Sequence, residues 1–286
     1  MKSLIFLLLF AAASAQASGI ACKNDKTGEI TISSHLVFFG DYSVAYGEKC
    51  AKEIHRIWND QNAAIFVNGK KYKVRFDISW QHESEATVVK AMASGNAKNN
   101  FIRIEHESKA NTDGASVMSD KGNTGYFGAY DPKGHSNELG SSTTCAHEYG
   151  HGLGLDHPYL KDKNGKPKVD LYLYWRKKGP PGIMANRGSS AELKYSYKSD
   201  PGLPYYKTKM NPKFRRVNTQ EIIDIGLHRL KYDTNGCADV GEASRYIFRK
   251  EGGVQMSTNQ VSEMMLDLKG AVKMKAPIKC TAENCG

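Results

Sequence analysis

The stretch HEYGHGLGLDH, residues 147 to 157, holds three histidines, one glutamate and three glycines in eleven positions. Residues four apart stack on one face of a helix, while the residue next to the first points elsewhere. His147 and His151 can therefore grip one object between them, with Glu148 beside it. Neutral imidazoles arranged this way suit zinc, and a catalytic zinc takes three protein ligands and keeps one position for water. Gly154 falls where the helix has to stop; a left-handed turn there swings the chain back and delivers His157 as the third ligand. Zinc lowers the pKa of its bound water towards about 7. Glu148, off the ligand face, is then placed to take that proton and later pass it to a leaving amine. Two solvent-facing histidines would account for His-Glu-x-x-His alone, but Gly154 and His157 at their spacings favour one catalytic Zn2+ ion.

Upstream of this motif the patterns alternate between strand and helix. ITISSHLVFF, residues 30 to 39, is β-branched and alternating and predicts a strand. From 42 to about 62, Ala45, Ile54, Ile57 and Trp58 keep a helical period, with Asp41 or Ser43 available as cap. AIFVNGKKYKVRFDISW predicts two strands around an Asn68-Gly69 turn. SEATVVKAMASG reads as a helix ending at Gly95, and FIRIEH as a strand. GYFGAYDP, closed by Asp131-Pro132, is expected at a sheet edge, because glycines and a closing proline suit a central strand poorly. Ser or Thr caps in SSTTCAHEYGHGL lead into the motif helix.

Downstream, residues 158 to about 215 are irregular and rich in Tyr, Lys, Gly and Pro. VNTQEIIDIGLHRL restores a helix with a capping-box start from Asn218 to Glu221 and an apolar side of Ile222, Ile223, Ile225 and Leu227. The sum is an α+β lobe, then a mostly irregular lobe, with the cleft between them.

The chain opens MKSLIFLLLFAAASAQASG, one lysine, a short apolar run and two A-x-A sites ending at Ala15 and Ala17, which is the layout of a secretory signal peptide over 1 to 17. The expected location is secreted, periplasmic or extracellular. No later run is apolar for eighteen residues, so no transmembrane anchor is expected. All six cysteines follow that segment and suit disulfides, with fifteen pairings open. The formal charge is +10. The lysines are scattered and form no basic helix or nucleic-acid module, so a solvated basic surface is expected rather than a nucleic-acid partner.

HEYGHGLGLDH matches, position by position, the H-E-x-x-H-x-x-G-x-x-H signature of the metzincin metalloendopeptidases, and there the chain resembles that family. Metzincins also have a Met-turn, whose methionine forms an apolar floor beneath the metal; GPPGIMANRG supplies Met184. Some members carry a Tyr ligand two residues later, where this chain has Asn186. The resemblance implies an N-terminal catalytic lobe over 18 to 157 with a twisted mixed sheet and the active-site helix. It implies a C-terminal lobe over 158 to 236 with the Met-turn and a final helix. The strand before the active helix would bind a protein or peptide substrate by β-augmentation, which nominates Gly125, Tyr126, Phe127, Gly128, Ala129 and Tyr130. Aromatic Tyr126, Phe127 and Tyr130 serve equally well as core. Many metzincins have a long propeptide, for which there is too little chain between Ala17 and the first strand. Cys22 is a candidate switch, with a disulfide the stronger reading.

Residues 237 to 286 form a tail region. Arg249-Lys250 before a glycine pair reads as an exposed nick site. STNQVSEMMLDLKG starts with a Ser257-x-x-Gln260 capping box and carries a Val261, Met264, Met265, Leu268, Val272 stripe. That helix either packs on its own protease lobe or docks on a partner. The whole layout resembles the toxilysins, metalloprotease A chains of bacterial toxins with five B chains. By that resemblance the tail would dock in the pore of a glycan-binding B pentamer, and a disulfide would hold the nicked pieces together. A Cys237–Cys280 bridge would span the nick and leave little chain to thread; a Cys280–Cys285 bridge would leave the nick unbridged. The former arrangement, Cys237 into the tail, is the expectation. The alternatives are a freestanding secreted metzincin and a zinc-containing binding protein without turnover, against which Glu148 argues.

Overall fold

A computed structural model describes residues 18–93, 99–107, 115–130, 139–140, 142–197, 208–244, 246–248 and 255–257. The expected signal segment, the nick site at Arg249 and Lys250, and the tail helix after Ser257 lie outside them. Ser257 itself closes a strand.

The protein is α+β, built on a mixed eight-stranded sheet. The first half runs β1 (Gly19–Asn24), β2 (Glu29–Phe39), α1 (Ser43–Asn59), β3 (Ala64–Val67), β4 (Lys70–His82), α2 (Glu85–Ala93) and β5 (Asn99–Glu107). Then come β6 (Val117–Met118), β7 (Thr124–Tyr130) and the motif helix α3 (Thr144–Gly152). The second half has β8 (Tyr159–Lys161), β9 (Pro167–Val169), α4 (Leu173–Lys177), α5 (Thr219–Asp224), β10 (Cys237–Val240), β11 (Tyr246–Phe248) and β12 (Gln255–Ser257).

β2 is the spine. Parallel β4 pairs with it from Glu29 to Phe38, while its other side is shared between antiparallel β1 and parallel β5. Its sequence explains the position: the first part alternates, but Leu36, Val37, Phe38 and Phe39 are all buried. A continuous apolar run belongs where both faces are covered. Leu36 and Phe38 join α1 and α3 in the main core, and Val37 and Phe39 join Val88, Val89 and Met92 of α2 and Ile247 of β11. Buried Arg103, whose Nε donates to Phe248 O at 2.7 Å, also ties β11 to that second face.

The hairpin β3–β4 turns at Asn68 and Gly69, both in the left-handed region (φ +49° and +78°), as a two-residue turn matched to strand twist requires. In α1 the buried face is Tyr46, Gly47, Cys50, Ala51, Ile54, Ile57 and Trp58; Ala45 is exposed, contrary to the apolar period read for it. Neither expected cap acts there, since Tyr42 holds the N-cap position without a side-chain bond and Ser43 Oγ donates instead to Gly40 O. β7 is the penultimate strand, not the edge: β5 pairs with it in parallel, and two-residue β6 covers its start at Gly125 and Tyr126. Its glycines are tolerated because β6 packs close, Met118 Sδ lying 2.8 Å from where a Gly125 Cβ would sit. α5 keeps the predicted capping box between Asn218 and Glu221 but ends at Asp224; Gly226, left-handed, stops it, and Ile223 faces outward at 37% exposure.

Two disulfides are formed, Cys22–Cys237 and Cys50–Cys145. The first corrects the expectation that Cys237 reaches into the tail. β10 pairs antiparallel with β1 at the sheet edge, placing Cys22 and Cys237 opposite one another. Residues 237–240 therefore belong to the sheet. Cys280 and Cys285 lie outside the described residues. The disulfides are consistent with an extracellular or periplasmic setting. Among the described residues no helix is long and apolar enough to cross a membrane.

Cys50–Cys145 closes a 95-residue separation between α1 and α3. Replacing both cysteines with alanine is expected to lower unfolding stability by about 4 kcal/mol through loop-closure entropy, measured as a fall in the denaturant midpoint with a steeper slope, because the unbridged denatured chain exposes more surface.

Candidate metal centre and its cleft

α3 is short, ends at Gly152 and carries Gly150 in its interior, where glycine costs about 1 kcal/mol against alanine. Its surroundings compensate. Ser142 Oγ accepts from Thr144 N–H, and buried Glu53 of α1 accepts from Ala146 N–H at 3.2 Å. The expected Ser or Thr cap is thus partly replaced by a carboxyl from another helix, while Thr143 Oγ1 donates to Pro212 O. Burial pushes the Glu53 carboxyl up to about 8. Trp58 Nε1 donates to Ala146 O, and Trp58 and Phe76, tilted to one another, both meet Tyr149 edge-to-face behind the helix.

The helix ends as the sequence suggested. Gly154 is left-handed at φ +89°, its N–H donates to His151 O, and Leu155 N–H donates back to Gly150 O. This paired closure satisfies two terminal carbonyls and reverses the chain. It brings His157 back, so that His147 Nε2 and His157 Nε2 are 3.2 Å apart. One ligand nitrogen from each of His147, His151 and His157 lies within 4.8 Å of the others.

Two of the imidazoles have fixed tautomers. His147 Nδ1 is 2.7 Å from Ile183 O, and His151 Nδ1 is 2.8 Å from Leu155 O. A carbonyl only accepts, so each Nδ1 carries the proton and each Nε2 presents a lone pair. Burial lowers all three imidazole pKa values, well below the ordinary value for His147 and to about 4 for His157, with neighbouring positive charges adding to the effect. Three neutral imidazoles held this way can bind a metal ion.

Met184 sits in a tight turn closed by Ala185 N–H to Gly182 O. It is buried, and a Cβ on Gly150 would fall 2.4 Å from its Sδ, so the methionine packs against the helix between His147 and His151. Glu221 fixes this turn, accepting from Ile183 N–H and Met184 N–H as well as from Asn218 N–H. The sequence revealed Glu221 as a capping residue but gave no sign of its second task.

The three histidines and Glu148 line a cleft of about 520 Å³. Glu148 is buried, and desolvation pushes its carboxyl up to about 8 against the pull of Arg215, Arg187 and the Met118 N–H. Asn186 also lines the cleft, its Oδ1 accepting from Gly188 N–H. In β7, Gly125, Tyr126, Phe127, Gly128 and Ala129 are buried in the sheet and are not among the residues lining the cleft, and Tyr130 at 40% exposure pairs with Tyr46. The wall is instead residues 115–118, including β6, a strand too short to register in a periodicity. Arg215 and Arg187 were also missed, since isolated arginines in irregular sequence carry no local signal. Compared with known protein families and curated proteins, the chain matches none.

In the unfolded chain these histidines regain a pKa near 6.5 and bind more protons than in the native state as the pH falls below it. Stability from a neutral His157 is therefore fully present above about pH 6.5 and lost towards about 4. The stability difference between the metal-free protein and His157→Gln is expected to be constant above that range. Within that range the wild type loses ground as the pH falls, by at most about 1.4 kcal/mol per pH unit, and below about pH 4 the difference is constant again, read from denaturant titrations across pH.

Proposed function

We propose that the chain is a secreted zinc endopeptidase of the metzincin type, hydrolysing internal peptide bonds, and that it serves as the A chain of a toxilysin-like toxin. The observation carrying the peptidase reading is the convergence of three imidazoles beside a buried carboxyl that stands outside the ligand group. Tetrahedral zinc with Zn–N of about 2.0–2.1 Å needs nitrogens about 3.4 Å apart, close to the 3.2 Å between His147 Nε2 and His157 Nε2. Structural zinc normally has four protein ligands, whereas the group comprises three among the described residues.

Zinc bound there supplies a polarised carbonyl and a water of lowered pKa. Glu148 handles the proton. Burial disfavours its charge while two guanidinium groups and a backbone N–H favour it, a balance that suits a group acting as base and then acid. It takes a proton from the attacking water and returns it to the amine nitrogen as the C–N bond breaks. Ile183 O and Leu155 O keep His147 and His151 oriented throughout. Terminal strand β6, beside the cleft, offers backbone groups to an extended peptide.

The toxin setting rests on the layout of the chain, from the leader-like start to the tail. With Cys237 bonded to Cys22, the pieces of a chain nicked at Arg249-Lys250 would be joined through β11–β12 pairing, which flanks that site in sequence, and not through Cys237. Glu148→Gln is expected to retain one zinc per chain and to lose chelator-sensitive cleavage of denatured protein by at least about 100-fold; undiminished cleavage overturns the mechanism. Protein isolated from native secretions is expected to carry a small partner in fivefold excess, whereas a monomer favours a freestanding protease.

A further inference from the structure

Arg215 and Arg103 are the buried guanidinium groups among the described residues, and Arg103 is ion-paired with Glu85 and Glu105. Arg215 is 4% exposed, it lines the same cleft as His147 and Glu148, and its Nε has no hydrogen-bond partner among the described residues. A guanidinium is always charged and presents a planar fork of donors, so leaving it dry and incompletely bonded is costly unless something else completes it. Arg187 opposes it with like charge, Tyr174 and Tyr197 act on it as polar neighbours, and Glu148 is the nearby carboxyl committed to proton transfer. Desolvation brings its pKa to about 10, which still leaves it cationic at neutral pH.

The position is built, not incidental. Arg215 N–H donates to Pro212 O, the same carbonyl that accepts from Thr143 Oγ1 at the start of α3. Arg216 Nη1 donates to Arg215 O, and Arg216 N–H to Pro181 O beside the Met184 turn. The backbone on either side of Arg215 is thereby pinned to the two segments that carry the metal centre.

We propose that Arg215 is a specificity-determining anion receptor, which selects substrates with a carboxylate side chain, Asp or Glu, next to the scissile bond. The carboxylate would accept from the guanidinium fork inside the cleft, completing a donor set the protein leaves open. Arg187, on the same cleft, adds to the positive potential. The inference rests on the peptidase reading, deepening it from any extended peptide to an acidic one. A site with a buried, unfilled donor rejects an analogue lacking the acceptor more strongly than a merely apolar pocket discriminates shape.

Two measurements test it and separate its failure from that of the peptidase reading. In the first, zinc-loaded wild type and Arg215→Gln are given a peptide library, and each cleaved acidic sequence is re-measured as its Asn or Gln counterpart. Wild type is expected to favour the acid by at least about tenfold in kcat/KM, and Arg215→Gln to abolish that preference, cleaving acid and amide peptides alike whatever the change in its absolute rate through Glu148. Equal cleavage of acid and amide by wild type, or an equal fall for both in the variant, overturns the proposal. In the second, glutarate and glutaramide are titrated into metal-free Glu148→Gln protein near neutral pH and followed by NMR. Glutarate alone is expected to shift resonances of the cleft, and Arg215→Lys, which keeps charge without the fork, to weaken it. Indistinguishable responses to the two compounds overturn the proposal even if no peptide is cleaved. Absence of Glu148-dependent cleavage with glutarate still bound removes the peptidase reading and leaves the anion site.

Discussion

The hydrogen bond from His147 Nδ1 to Ile183 O joins the two halves of the molecule at the point where chemistry is proposed. Ile183 and Met184 are held in their turn by the carboxyl of Glu221, which also caps α5. A single glutamate thus connects a helix start, a buried turn and an imidazole tautomer. Burial pushes Glu221 up to about 7, against the pull of three backbone N–H groups that hydrogen-bond its charged form. The centre depends on this chain of contacts because imidazole orientation decides whether lone pairs converge.

The other half of the support comes from α1. A nine-residue helix with one internal glycine and a second at its end is marginal by propensity and length. The glycines have a reason: Gly150 makes room for Met184, and Gly152 lets Met118 and the carbonyl of Gly122 approach. Glu53, Trp58 and Cys50, spaced along one face of α1, then hold α3 by a hydrogen bond to its first turn, an indole donor and a covalent bridge. Local weakness is accepted so that backbone and thioether can come close, and tertiary contacts restore what is lost.

The parts of this arrangement that sequence made legible are those whose signal is local. The Asn68-Gly69 turn, the Asn218–Glu221 box and the Gly154 reversal are each set within a few residues by backbone sterics, and each formed as read. The three histidines that could hold a metal ion fall within one such local unit. What escaped depends on partners distant in sequence. β6 is two residues long and exists because β7 offers it an edge. Arg215 meets Glu148 across 67 positions, and Cys22 meets Cys237 only because β10 returns to β1. The expected apolar face of α1 was shifted at Ala45, since Gly47 rather than Ala45 packs on Phe38. A glycine gives no hydropathy signal for such a contact.

The two bridges are nested. In chain order the described cysteines are Cys22, Cys50, Cys145 and Cys237, and the first joins the last while the middle two join each other. A chain oxidised as it emerges from its amino end meets Cys50 long before Cys237, so the earliest bond available to Cys22 is a wrong one. Where that bond forms, reaching the observed pairing takes thiol–disulfide exchange, which runs in seconds to hours depending on oxidant and isomerase.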